Sequence, residues 1–194
     1  MQQNWPLHQL PETDASWTLF LDRDGVINRD VVDDYVKSWE EFEFCNGTLE
    51  ALRILNPLFG RIVIVSNQRG VGRGLMTHEM LEQITLNMLQ QIEEAGGRID
   101  DVYYCTSTDN KDPNRKPNQG MALQAKAKFP EINFAKSMMA GNMTGDLLFG
   151  RNIGAYTVYL PTRTTEKPDV SIMDASYKDL LAFAEAILKK RNTQ

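Results

Sequence analysis

The chain has 194 residues, of which 42% are hydrophobic and 24% charged, enough to bury a full α/β core and unlike a disordered or fibrous composition. A formal net charge of −5 argues against sequence-independent nucleic-acid binding, and no apolar run approaches the roughly 20 residues that a membrane helix needs. Two cysteines make no disulfide framework, and the opening Met-Gln-Gln-Asn-Trp lacks a secretory pattern, so a cytoplasmic protein is expected.

Residues 1–16 are polar, include Trp5, Pro6 and Pro11, and read as an arm ahead of a single domain over 17–194. Trp17 to Leu21 is short, aromatic and apolar enough for a buried parallel strand. Asp22-Arg23-Asp24-Gly25 follows, placing two carboxylates two residues apart where open α/β sheets bind ligands. Such a pair suits a nucleophile, Asp22, beside a proton carrier, Asp24, with Mg²⁺ held between carboxylate oxygens, a backbone carbonyl and a substrate phosphate. Taken alone, the same pattern also fits a solvated acidic turn or a calcium loop.

Arg29-Asp30 to Trp39 precedes the first helix; Tyr35, Lys37 and Trp39 are candidates to line a pocket above Asp22, Trp39 either stacking on a sugar or plugging a flap. Asn46-Gly47-Thr48 opens an amphipathic helix carrying Leu49, Leu52 and Leu55, which Pro57 ends. Arg61 to Val65 predicts a second strand, leaving through Ser66-Asn67-Gln68-Arg69-Gly70-Val71-Gly72-Arg73-Gly74. Ser66 and Asn67 are the expected phosphate donors there, with ordinary loop flexibility as the other use of the glycines. A longer helix begins at Thr77, carries Met80, Leu81, Ile84, Met88, Leu89 and Ile92 on one face, and stops at Gly96-Gly97.

The third strand, Asp101 to Cys105, leads to Arg115-Lys116-Pro117 and a helix from about Asn118 to Phe129. Lys116 can neutralise a phosphoryl group, and Arg115 can grip a second anion with its planar fork. Arg69, Arg73, Arg115 and Lys116 together make a local cationic mouth, which favours a small phosphorylated metabolite over a polynucleotide. A fourth apolar strand begins at Ser137 and turns at Gly141, followed by Asn142 and Asp146, whose oxygens fall in the first turn of the next helix and are candidates to complete the metal shell. Asp146 also suits a helix N-terminus on dipole grounds alone. Ala155 to Leu160 predicts a fifth strand, Pro161 to Val170 a charged loop, and Ser176 to Arg191 a closing helix whose Lys189-Lys190-Arg191 end favours the helix dipole. Alternating strands and helices imply a doubly wound, Rossmann-like parallel sheet.

Four segments in this order, each after a predicted strand, resemble the haloacid dehalogenase superfamily of aspartate-nucleophile phosphatases. Asp22 to Asn28, Ser66 to Gly74 and Arg115-Lys116-Pro117 are most similar to its D-glycero-D-manno-heptose-1,7-bisphosphate phosphatases and the related histidinol-phosphate phosphatases. The resemblance implies strand order 3-2-1-4-5, little or no cap, and Mg²⁺-dependent hydrolysis of a phosphomonoester through an aspartyl-phosphate. It assigns Asp22 as nucleophile and metal ligand, and Asp24 as acid/base and backbone metal ligand. Ser66 and Asn67 would bind the transferring phosphate, Lys116 stabilise it, and Arg115 contact substrate.

The chain departs from that family twice. Asn142 stands where the family places a metal-ligating Asp, so the ion should be held more weakly, and a catalytically impaired, phosphosugar- or partner-binding relative is the alternative to an enzyme. The family's zinc loop ahead of Arg-Lys-Pro retains only Cys105; with Cys45, His8 and His78 elsewhere in the chain, no zinc is expected. A monomer or weak homo-oligomer is expected.

Overall fold

The computed structural model describes residues 9–31, 34–162 and 167–193, so part of the expected N-terminal arm, with Trp5 and Pro6, lies outside the described residues. Six parallel strands form one sheet in the order β3-β2-β1-β4-β5-β6: β1 (Thr18–Leu21), β2 (Arg61–Asn67), β3 (Asp101–Cys105), β4 (Ser137–Gly141), β5 (Tyr156–Tyr159) and β6 (Ala175–Ser176). The expected order of the first five holds, and β6 adds an edge. Its second residue, Ser176, is where the closing helix is expected to begin; that helix instead starts after Asp179, whose carboxylate accepts the Ala182 N–H at 2.9 Å.

The central strands are apolar on both faces, and their two-residue period sorts side chains into two cores. Leu19, Leu21, Ile62, Ile64, Met138 and Ala140 point to one face. There they meet α1 (Thr48–Leu55), α3 (His78–Glu94) and α6 (Leu180–Asn192) through Leu52, Met88, Ile92, Phe183 and Ile187. Phe20, Val63, Val65 and Met139 point to the other, against Met121, Ala122 and Ala125 of α4 (Gly120–Lys128) and Phe149 of α5 (Thr144–Ile153). Register aligns Phe20 with Val63 on one side and Met139 on the other, so the inner row is continuous across three strands. Phe20 is fully buried between the rings of Phe134 and Phe149, at 6.5 and 6.2 Å, and its truncation to Ala would cost about 3–5 kcal/mol.

Between β2 and α3 the glycine-rich exit winds into the short α2 (Arg69–Gly72). Thr77 caps α3 by accepting the Met80 N–H at 3.2 Å. Trp39 stacks on Phe42 at 4.9 Å and packs on the core, so it is the plug of its segment and no sugar platform. Lys37 is paired with Asp34 at the surface. Because every strand is parallel, Asp22, Ser66, Thr106, Asn142 and Leu160 all lie at one end of the sheet, at or just beyond the strands' C-terminal ends. Among the described residues no helix is long and apolar enough to cross a membrane.

Candidate active site

A cavity of about 450 Å³ opens at that end, lined by Asp22, Asp24, Asp30, Ser66, Asn67, Arg115, Lys116, Asn142, Gly145 and Asp146 among others. It gathers every candidate catalytic, phosphate-binding and metal residue except Arg69 and Arg73, which sit beside it at α2; Tyr35, Lys37 and Trp39, candidates for its wall, do not line it. Asp22 continues β1: its N–H donates to the Ala140 carbonyl at 3.1 Å, which fixes the residue between β1 and β4. One carboxylate oxygen accepts the Arg23 N–H at 2.8 Å and lies 2.8 Å from Lys116 Nζ.

Lys116 also meets Asp146 at 2.6 Å, so one buried ammonium serves two buried carboxylates. Burial, then repulsion from Asp146, pushes the Asp22 carboxyl up to about 7 despite Lys116. Burial alone would lower the lysine's pKa, but Asp146 and Asp22 outweigh it and keep the ammonium charged above its ordinary value. This cluster is one negative charge in excess when both acids are ionised, an arrangement suited to receiving a cation.

Asp24 is held differently. It accepts from Arg23 at 2.9 Å, Asn28 at 3.0 Å and Gln68 at 2.6 Å. Burial opposes ionisation, but the Arg23 charge and these hydrogen bonds overcome it and hold the carboxyl below the usual range. Arg23 itself is 1% exposed, and its guanidinium lies 5.8 Å from the Tyr104 ring. Gln68 joins this network to the phosphate loop by donating to Ser66 Oγ at 3.0 Å, which leaves the Ser66 proton available to an incoming anion. Arg23 and Gln68 look like spacers within their motifs, and only the tertiary structure reveals their work on Asp24.

The side chains of Asn67 and Asp146 are engaged by the protein itself. Asn67 is expected as a phosphate donor; its side chain is committed elsewhere, Nδ2 donating to the Lys116 carbonyl at 3.1 Å and Oδ1 accepting the Lys116 N–H at 3.0 Å. Asp146 is expected as a metal ligand, but Oδ1 is paired with Lys116 and Oδ2 accepts the N–H groups of Asn142 and Met143 at 3.1 and 3.0 Å. It is therefore both the lysine's counter-charge and the cap of α5. Gly141 permits this, because a Cβ there would collide with the Asp146 side chain.

The donor set fits a divalent cation in part through an amide. Among the described residues no three His, Cys, Asp or Glu side chains form a metal-ligating cluster, so an ion would draw on Asp22, main-chain oxygen and Asn142. Asn142 is 2% exposed; its Nδ2 donates to Thr162 Oγ1 at 3.0 Å while its Oδ1 is buried without a hydrogen-bond partner. An orphaned amide oxygen beside an ionisable carboxylate is what a hard, oxygen-seeking cation can satisfy. The cysteines stand apart: Cys105 is buried at the end of β3 and Cys45 lies in a neighbouring cavity of about 340 Å³ with Arg29, Asp30, Asn46, Thr162 and Asp179. The loop after β3 is tied by the Asn118 amide on the Asp112 carbonyl at 2.8 Å and the Gly120 N–H on the Pro113 carbonyl at 2.8 Å.

Arg115 reaches the cavity wall with Nη1 buried and unpartnered. Burial, then the nearby charges of Arg69 and Arg73, lower its pKa, and among the described residues none of the three arginines has an ion pair with an acid. Arg69 is hydrogen-bonded to Asn110, and Arg73 lies 5.9 Å from the Tyr35 ring. This uncompensated positive field sits at the edge of the cavity that Asp22 lines.

A strand-end carboxylate, a buried lysine and a strand-tip serine meet on this sheet, and comparison with known proteins decides the family. Residues 18–186 match the family model described as polynucleotide kinase 3 phosphatase. The chain belongs to this family of haloacid dehalogenase phosphatases. It is 35% identical over 173 residues to a Mycobacterium tuberculosis protein named D-glycero-alpha-D-manno-heptose-1,7-bisphosphate 7-phosphatase, covering 88% of this chain and 91% of the relative. A Helicobacter pylori protein named for the beta anomer of that substrate is 37% identical over 136 residues, covering 69% of this chain and 77% of the relative. The crystal structure of a B. bronchiseptica D,D-heptose 1,7-bisphosphate phosphatase with magnesium and phosphate superposes with TM-score 0.79 at 27% identity, covering 90% of this chain and 99% of that one. The enzyme described here is thus a phosphatase on the haloacid dehalogenase fold.

Proposed function

We propose that this phosphatase removes the 7-phosphate of D-glycero-D-manno-heptose 1,7-bisphosphate through an aspartyl-phosphate on Asp22. The observation that carries the reading is the 2.8 Å pairing of Asp22 with a buried Lys116 at the sheet's C-terminal end, facing Ser66 across the cavity. Asp22 attacks phosphorus, the bond to the sugar oxygen breaks, and that oxygen takes its proton from Asp24. Asp24 then removes a proton from water, which attacks the phosphorus and frees Asp22 and inorganic phosphate. Asp24 must carry a proton in the first half, against the Arg23 charge and the hydrogen bonds that hold its carboxyl below the usual range, and those same contacts favour the second half. Lys116 and the Ser66 hydroxyl meet the charge that builds on the phosphoryl oxygens.

Mg²⁺, held by Asp22, the Asp24 carbonyl and Asn142, would supply the neutralising charge that two anions need to meet. Asp146 works one step back, setting Lys116. No zinc is included, because Cys105 has no partner thiol in its loop. Arg115 with Arg69 and Arg73 offers the second phosphate of a bisphosphate a binding place, and Asp30, whose Oδ1 is buried and unpartnered at the cavity, accepts from sugar hydroxyls. The same Asp30 carboxylate supports a second reading, histidinol phosphate, whose ammonium it would meet.

Phosphate release with Mg²⁺ from heptose 1,7-bisphosphate of each anomer, histidinol phosphate and an aryl phosphate, with Asp22→Asn as control, tests the reading. Preferential turnover of a heptose bisphosphate is expected. Preference for histidinol phosphate would replace the substrate, and full activity of Asp22→Asn would overturn the mechanism.

A further inference from the structure

An amide is a two-faced metal ligand. Its oxygen accepts a cation, whereas its nitrogen presents two hydrogens that repel one, so an asparagine that replaces an aspartate must be oriented to be of use. The structure orients Asn142 from one side. Nδ2 donates to the Thr162 hydroxyl at 3.0 Å, and this leaves Oδ1 as the face turned away from Thr162, buried and unpartnered. Thr162 is itself fixed: its N–H donates to the Leu160 carbonyl at 2.9 Å, and the Leu160 N–H donates to the Gly141 carbonyl at 2.9 Å, immediately before Asn142. The exit of β5 is thereby stitched to the exit of β4 beside the amide. Gly25, in the loop after the nucleophile and with φ of 81°, leaves the space that Nδ2 fills; a Cβ there would overlap the amide nitrogen.

We propose that Thr162 is the positioning residue that makes Asn142 a competent cation ligand, by holding the amide nitrogen so that only the oxygen is offered to the metal. The proposal rests on the reading that Asn142 touches Mg²⁺. It has a consequence specific to an amide. With aspartate at position 142 the two oxygens are equivalent, a flip about the last side-chain bond changes nothing and the hydroxyl can donate to either, so Thr162 matters more for asparagine than for aspartate.

Mg²⁺ affinity measured by isothermal titration calorimetry, without substrate, tests this in the wild-type chain, Thr162→Val, Thr162→Ser, Asn142→Leu, Asn142→Asp and Asn142→Asp/Thr162→Val, each checked for folding by circular dichroism and thermal melting. Thr162→Val should weaken Mg²⁺ about tenfold, the scale of lost support behind a metal ligand. Thr162→Ser keeps the hydroxyl and should stay within about twofold, and Thr162→Val in the Asn142→Asp background should cost about twofold or less by the same measure. An unchanged dissociation constant in Thr162→Val, or an equal loss in both backgrounds, overturns the proposal while leaving the metal reading intact. No Mg²⁺ binding by the wild-type chain, or undiminished binding by Asn142→Leu, overturns that reading and the proposal with it.

Discussion

Asn67 and Lys116 grip each other through two reciprocal hydrogen bonds, the Asn67 amide donating to the lysine's carbonyl at 3.1 Å and accepting from its N–H at 3.0 Å. One side chain thus replaces a sheet ladder between the tip of β2 and the segment that carries the cation, and it places Nζ by placing the backbone. Asn67→Ala should cost about 1–3 kcal/mol of stability, since two partly buried backbone groups lose their partner. It should also lower kcat on the order of a hundredfold, because Lys116 would no longer be set against Asp22. Thermal melting and steady-state phosphate release measure the two effects. A stability loss with unchanged kcat would show that the pairing does not position the lysine.

The buried cluster of Asp22, Asp146 and Lys116 makes a prediction about the metal-free protein. Folding raises the Asp22 carboxyl to about 7 from an ordinary value near 4, through burial and then Asp146, so the folded state binds that proton more tightly than the unfolded chain. The contribution to stability therefore falls as pH rises from about 4 to about 7 and is flat above. Asp22→Asn should abolish turnover yet leave Lys116 and Asp146 as a neutral pair, and at pH 8 without metal it should be more stable than the wild type, on the order of 1–3 kcal/mol. Lys116→Met should do the reverse, leaving two carboxylates without a counter-charge. Denaturant melts at pH 5 and pH 8 in chelator check both; an advantage of Asp22→Asn that is larger at pH 5 than at pH 8 would contradict the assigned ionisation.

Arg69 and Arg115 repel each other across the cavity's edge without an acid between them, a cost that a bound anion would relieve. Arg69→Ala should raise KM for a bisphosphate about tenfold with kcat nearly unchanged, the loss of one charge-assisted contact made equally in ground and transition states. An aryl monophosphate, which has no second phosphate, should be indifferent to the change. Equal losses on both substrates would place Arg69 at the transferring phosphate instead.

What the sequence reveals depends on how local the cause is. The central strands are legible because Leu19 to Leu21 and Ile62 to Val65 are apolar on both faces, which only a doubly covered sheet explains. Asp22, Ser66 and Lys116 are legible as candidate site residues because each lies at a strand's end or in a motif with its chemistry on display. β6 is not, since its two residues are held by pairing with β5 and by Asp174, whose carboxylate accepts the Thr157 N–H at 2.8 Å. Nor are the working partners of Asn67 and Asp146: a clamp across 49 residues of chain and a lysine from another loop leave no periodic trace. Thr162 is the extreme case, an unremarked residue in a loop, distinguished only by where the fold sets its hydroxyl.

Cys45 offers a probe of the second cavity that needs no substrate. Burial, then the negative charge of Asp30, pushes its thiol up to about 11, with Arg29 opposing. A raised pKa favours the neutral thiol, so at pH 8 only about one molecule in a thousand carries the reactive thiolate, against roughly a quarter for an unperturbed cysteine. Alkylation by iodoacetamide should be at least about a hundredfold slower than for a free thiol at pH 8, and should accelerate about tenfold per pH unit up to pH 10. Asp30→Asn removes the repelling carboxylate and should speed labelling at pH 8. Mass spectrometry of the native protein, with Cys105 buried and labelled only after denaturation, follows the reaction at a single site. Fast labelling at pH 8, insensitive to Asp30→Asn, would mean that the carboxylate does not act on the Cys45 thiol in this cavity.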